Sequence, residues 1–210
     1  MWEYNQFKYL YPPRPEFVLT SDRIPFYEKD GWVGQYKMNG TNTILALSPE
    51  GEFIAMNRHN EEHRAWQLTE EIKTSLRQLL PKGSWTVLVG EIMHSKTPTI
   101  KNTIYFHDVL VHQSKHLVGM TFKDRQILLE KLLPSNGKEE KSHYFVTDRI
   151  WRAKLITKNI HKHFVEIEDP KILEGFVLKL PTGKLKPCYT ENNNTSWQYK
   201  IRYPTKNYQF

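Results

Sequence analysis

The chain has 210 residues, enough for one domain with a real hydrophobic core and too few for two of ordinary size. Its 30 Lys and Arg against 23 Asp and Glu leave a net charge of +7, which suits a polyanionic partner held through phosphate contacts without proving one. The single cysteine, Cys188, excludes an intramolecular disulfide and a thiolate metal cluster and fits a reducing, cytoplasmic setting. The opening MWEYNQFKYLYPPRP has no apolar core of a leader peptide, and no apolar run approaches membrane-spanning length, so a soluble chain with no membrane partner is expected.

Residues 1–31 are aromatic and proline-rich (FKYLYPPRPEF) and read as an extended arm packed by its rings rather than a regular helix. From Trp32 onward, short β-branched and aromatic runs bounded by turn formers predict strands: WVGQYKM, TNTILALS and GEFIAMNR. The stripe of Trp66, Ile72, Leu76, Leu79 and Leu80 predicts an amphipathic helix over 61–80, ending before Pro81. Strands WTVLVGEIM and IYFHDVLVH follow, then a helix FKDRQILLEKLL stopped by Pro134. After a polar loop at 135–142 come a strand around HYFVT, a helix around RIWRAKLITKNIHKHF, and the strands EGFVLKL and SWQYKIRY. Strands interspersed with a few helices indicate an α+β chain with largely antiparallel sheets and flanking helices. There is no internal repeat and no low-complexity stretch.

Polar residues interrupt these strands at particular places. Lys37 stands two residues before the Asn39-Gly40 pair, a strong hairpin signal; Arg58 ends the third strand, Glu91 follows the apolar run in LVGEIM, and Asp108 breaks IYFHDVL. Glu174 opens EGFVLK and Lys179 closes it, while Lys200 and Arg202 share one face of QYKIR by period-two alternation.

The ordered set KMNG, NR, GEIM, YFHDVL, EGFVLK and YKIR resembles the nucleotidyltransferase motifs of the covalent nucleotidyltransferase superfamily, which comprises ATP-dependent DNA and RNA ligases and mRNA capping enzymes. It runs from Lys37 to Arg202, and its order is more specific than any single member. KMNGTN is closest to the RNA ligase version, and the RQILL helix resembles the one that follows YFHDVL in ligases. The resemblance implies the ligase adenylation fold, which is ATP-grasp-like, over residues 32–210, with the arm at 1–31 and no C-terminal OB domain.

It also implies roles. Lys37 is the expected nucleophile on the α-phosphorus of ATP, giving lysyl-AMP and pyrophosphate. A protonated lysine is not nucleophilic, so neighbouring cations, Lys200, Arg202 and a bound Mg²⁺ or Mn²⁺, are expected to help displace its proton and to grip the α-phosphate. The turn at Asn39-Gly40 would hold the amine in line with the leaving group. Glu91 matches the glutamate that contacts the ribose; Gln35 and the backbone of Tyr36 are candidates for the adenine edge; Arg58 is a candidate for sugar or phosphates. Phe106 is the candidate for stacking on the purine, with Tyr105 as its rival. Lys179 matches the final lysine of EGFVLK, and Glu174, directly or through water, with Asp108 as a weaker second, would hold the divalent metal.

Two departures stand out. Asn39 replaces the Asp or His found in many relatives, and only eight residues follow Arg202, where DNA ligases and capping enzymes append a domain that helps orient pyrophosphate. The expected protein is a monomeric, ATP-dependent RNA ligase-like enzyme acting on nucleic acid ends. A minimal DNA ligase for duplex nicks, a capping guanylyltransferase using GTP, and a non-catalytic nucleic-acid-binding module remain alternatives. The histidines, including HKH at 161–163, match no zinc signature, and the basic run Arg149, Arg152, Lys154, Lys158 and Lys162 is a candidate helix face for a nucleic-acid backbone.

Overall fold

The structure, a computed structural model, describes residues 9–64 and 66–203. The first eight residues of the expected arm, Ala65 of the expected helix at 61–80, and residues 204–210 lie outside the described residues. In chain order the elements begin with β1 (Arg14–Val18), α1 (Ile24–Lys29), β2 (Val33–Met38), β3 (Thr41–Leu47), β4 (Phe53–Met56) and α2 (Glu70–Leu79). They continue with β5 (Thr86–Met93), β6 (Thr103–His112), β7 (Lys115–His116), α3 (Phe122–Leu132), β8 (His143–Phe145) and β9 (Ile150–Ala153). The last three are α4 (Ile160–Val165), β10 (Leu173–Lys179) and β11 (Asn194–Arg202). No described helix is long and apolar enough to cross a membrane.

The described strands form two sheets, one in the order β1-β11-β10-β2 and a larger one in the order β4-β3-β5-β6-β9-β8, with β7 on β6. β1 runs parallel to β11 and β9 parallel to β6; the other pairings are antiparallel, as the alternation of the strands anticipates. One face of the larger sheet buries Leu45, Leu88 and Phe106 against Ile72 and Leu76 of α2 and Leu129 of α3. One face of the smaller sheet buries Tyr36, Phe176 and Ile201 against Ile24 of α1 and Ile160 and Phe164 of α4. The two remaining faces look at each other across a cleft.

The Asn39-Gly40 turn makes that arrangement. It does not close a hairpin, because β2 pairs with β10 and β3 with β5, so the turn hands the chain from one sheet to the other. Neither residue takes the positive φ that a type I′ hairpin turn needs. Gly40 is required for closeness instead: a Cβ there would lie 2.9 Å from Glu91 Cβ and 3.0 Å from the Ile92 carbonyl.

Three other expectations are corrected. The helix at 61–80 begins only at Glu70, where the Thr69 hydroxyl caps the Ile72 N–H (3.4 Å) and Glu70 and Glu71 favour the helix N-terminus. Residues before it run irregularly, tied by His63 to Thr43 (3.1 Å). The expected helix at 149–164 divides into β9, which completes the larger sheet beside β6, and the short α4. Its basic face dissolves with it: Arg152 is buried, donating to the Leu133 carbonyl (2.9 Å) and Glu130 (3.4 Å). Within the expected extended arm, Ile24–Lys29 is helical, Pro25 being tolerated in the first turn. Glu28 of that helix accepts from the Asn159 and Ile160 N–H groups (2.6 and 3.0 Å), capping α4.

Gly175 sits where β10 bulges against β2, with φ +140° and the Ile201 carbonyl in the space a Cβ would need. Gly175→Ala should therefore cost more than about 2 kcal/mol. Gly83→Ala, with positive φ and open space, should cost only about 1 kcal/mol. Urea midpoints of the two variants, compared side by side, measure the difference.

Candidate active site

Strand register builds the site. On the smaller sheet, Gly175 of β10 lies between Lys37 of β2 and Arg202 of β11, Val177 between Gln35 and Lys200, and Lys179 between Val33 and Gln198. On the larger sheet, Glu91 of β5 stands between Asn42 of β3 and Tyr105 of β6. The cleft between these rows has an inner chamber lined by Gln35, Tyr105, His107, Val177, Lys179 and Gln198. An outer chamber is lined by Asn39, Gly40, Lys96, Lys171 and Glu174. Lys37, Asn42, Arg58, Glu91 and Arg202 border both, so Lys37 sits at the junction.

At that junction the Lys37 amine donates to the Glu174 carboxylate, each side chain about one fifth exposed. The bulge before Gly175 allows this, because it turns Glu174 toward the cleft one residue out of step with the ladder. Burial pushes the Glu91 carboxyl up to about 7, against the pull of Lys37 and Lys96. Burial, together with Arg202, Lys37 and Arg14, lowers the Lys200 ammonium. Lys179 is lowered to about 8, chiefly by burial, with Asp108 opposing; its ammonium lies 4.6 Å over the Phe122 ring. Asn39 is tied to the 169–172 loop, its Nδ2 donating to the Lys171 carbonyl (2.9 Å) and its N–H to Ile172 (2.8 Å). Arg58 Nε donates to Nε2 of His59 (3.0 Å), which leaves His59 Nδ1 to donate to Glu191 (2.7 Å).

Of the residues expected from sequence, Gln35, Tyr36, Lys37, Asn39, Gly40, Arg58, Glu91, Glu174, Lys179, Lys200 and Arg202 are all brought to this cleft. Two are not. Phe106 is fully buried in the core between the larger sheet and its helices, because alternation along β6 turns Tyr105 and His107 to the cleft and Phe106 away. Asp108, expected as a second metal ligand, has both carboxylate oxygens bound by Arg125 of α3 (2.9 Å each). The Tyr36 carbonyl accepts from Tyr105 Oη (3.2 Å).

Sequence reasoning missed His107 as a residue of the cleft. His107 is two residues from Tyr105 on one strand, which is the signal that would have found it. Burial, with Lys179 and Lys37 adding to it, lowers its imidazole to about 3, so the ring is neutral, and Nδ1 has no hydrogen-bond partner. Tyr11 to Pro15 wall the inner chamber, stitched down by Arg14 N–H to Asn193 (2.8 Å) and Asn193 Nδ2 to Tyr11 (2.9 Å).

Glu91 gives a pH prediction. Its folded value near 7 lies above the ordinary 4.5, so between those values the folded chain keeps a proton that the unfolded chain releases, and stability falls as pH rises through the window. Relative to Glu91→Gln, the wild type should lose stability from about pH 4.5 to about pH 7 and hold a constant difference above; urea midpoints across that range measure it.

No protein-family model and no curated protein sequence matches the chain. Solved structures do. A mycobacterial DNA ligase D complexed with ATP is similar over 93% of this chain and 62% of its own, with TM-score 0.64 and 15% identity. The ligase domain of LigD from M. tuberculosis gives TM-score 0.63 over 93% of this chain and 61% of its own, also at 15% identity. The ATP-dependent DNA ligase of bacteriophage T7, in complex with ATP, gives 0.59 over 91% of this chain and 68% of its own, at 12% identity. The chain thus spans less than two thirds of the ligase D structures. The likeness is one of fold: this is the α+β nucleotidyltransferase-domain fold of ATP-dependent DNA ligases.

Proposed function

We propose that the chain is the adenylation core of an ATP-dependent polynucleotide ligase, in which Lys37 carries AMP as a phosphoramidate, passes it to a 5′-phosphate, and a 3′-hydroxyl then displaces it. The observation that carries this reading is the meeting of Lys37, Glu91, Glu174, Lys200 and Arg202 around one cleft, from four strands far apart in sequence. A nucleic-acid-binding module would need only the basic surface.

The inner chamber suits a purine. Gln35 lines it, with Nε2 donating to Gln126 Oε1 (3.0 Å) and Oε1 buried without a partner; a small turn of that amide toward the chamber would offer an acceptor to the exocyclic amine of adenine and oppose the carbonyl of guanine. Tyr105 and the neutral His107 supply ring surface. Glu91 accepts from ribose hydroxyls, and Lys200 and Arg202 stabilise charge growing on the α-phosphate. The Glu174 carboxylate at the open junction fits a hard divalent ion, which takes few carboxylates and completes its shell with water and phosphate; when bound, such an ion supplies charge neutralisation to the phosphates. Glu174, now the partner of the Lys37 amine, is the residue that would hold such an ion.

KMNGTN favours RNA ends, whereas the fold likeness to DNA ligases favours duplex nicks. Incubation with α-labelled ATP or GTP and Mg²⁺, followed by denaturation, tests the proposal: acid-labile label from ATP supports it, label from GTP alone points to capping chemistry, and no label points to the binding module. Nicked DNA compared with nicked and single-stranded RNA then decides the polymer.

A further inference from the structure

We propose that Lys96 is a ligand for the pyrophosphate that departs when Lys37 is adenylated, an inference that rests on the ligase reading above. In-line displacement sends the leaving group away from the Lys37 amine, and with the purine filling the inner chamber the outer one is the space left to receive it. Lys96 lines that outer chamber and not the inner one.

The loop between β5 and β6 is built to hold Lys96 there. Its ammonium donates to the Gly40 carbonyl (2.7 Å), next to the turn that positions the nucleophile, and two of its three N–H donors remain for a ligand. Thr97 is fully buried and donates to the Ile100 carbonyl (2.7 Å). Lys101 donates to the carbonyls of His94 (2.6 Å) and Thr97 (2.7 Å), and Arg149 donates to that of Lys101 (3.0 Å). A connection laced in this way presents its cation preorganised, so little freedom is lost when a ligand is bound. Lys101 spends two of its donors on the lacing, whereas Lys96 spends one and keeps two to offer in the outer chamber, beside the terminal nitrogens of Arg58.

In the step concerned, the Lys37 amine, having shed one ammonium proton, forms the N–P bond with its lone pair. The bond from the α-phosphorus to the bridging oxygen breaks, its electron pair leaves on pyrophosphate, and a second amine proton passes to solvent. Charge grows on the departing oxygens, and Lys96 meets it.

The test uses purified, pre-adenylated protein and inorganic pyrophosphate, with ATP formation as the readout. Lys96→Met should raise the half-saturating pyrophosphate concentration at least about tenfold and slow self-adenylation correspondingly, and Lys96→Arg should recover most of both. Sealing of a pre-adenylated polynucleotide, which releases no pyrophosphate, should fall less than about threefold in the same variant. Unchanged half-saturation, with or without a lower maximal rate, overturns the proposal and makes Lys96 a structural clip. A defect confined to sealing overturns it in favour of a polynucleotide phosphate. Wild-type protein that takes no label at all overturns the ligase reading, and this inference with it.

Discussion

Replacing Lys37 by alanine is expected to abolish covalent capture of AMP, with a fall of at least about 10³-fold in ligation of a 5′-phosphorylated strand. The reason is chemical, since no other amine at the junction replaces the one removed: Lys200 and Arg202 lie on β11, two strands from β2, with β10 between. Sealing of a pre-adenylated strand should persist, because that step uses a 3′-hydroxyl and not the lysine. The fold should persist too. The Lys37–Glu174 pair is partly exposed, and such pairs contribute little net stability. Gel-resolved ligation of the two substrates, with urea unfolding as a control, checks all of this; equal loss on both substrates would contradict the assignment.

The largest effect on stability is expected at Arg125, which lines neither chamber of the cleft. Arg125 is fully buried, gives two hydrogen bonds to Asp108 and a third to the Met120 carbonyl (2.8 Å), and so fastens α3 to β6. Burial alone would raise the Asp108 carboxyl, but Arg125 overrides it and holds the group below the usual carboxylate range. Arg125→Met strands a buried anion and should cost about 3–5 kcal/mol. Adding Asp108→Leu removes the stranded charge, so the double variant should recover more than half of that loss. The comparison is read from urea midpoints, and equal destabilisation in single and double variants would show that packing rather than charge dominates there.

The parts of the fold legible in the sequence are those fixed by local alternation. Gln35 with Lys37, Val177 with Lys179, and Lys200 with Arg202 each occupy one face of a strand, and period two alone assigns them. Which strands those faces meet is a matter of register between distant segments. Nothing local in YKMNGTNT tells that its turn joins two sheets rather than two strands of one. β9 was hidden for a related reason: IWRA is too short to show a period, and its place beside β6 is set by tertiary pairing. At Phe106 the error lay in choosing the wrong parity along a strand whose alternation was already plain, and the same count shifted by one finds His107. Thr69 was readable as a helix cap, but the apolar stripe reaching back to Trp66 outweighed it. Lys96 carried no signal, because its value lies in a loop tied by Thr97 and Lys101, which only the folded chain displays.

The most direct measurement is peptide mapping by mass spectrometry after incubation with ATP and Mg²⁺ under conditions that preserve a phosphoramidate. One AMP per chain, carried on the peptide containing residue 37 and released by pyrophosphate, is the result required. An adduct on any other side chain, or an unmodified chain under conditions where strand sealing is observed, would contradict the account.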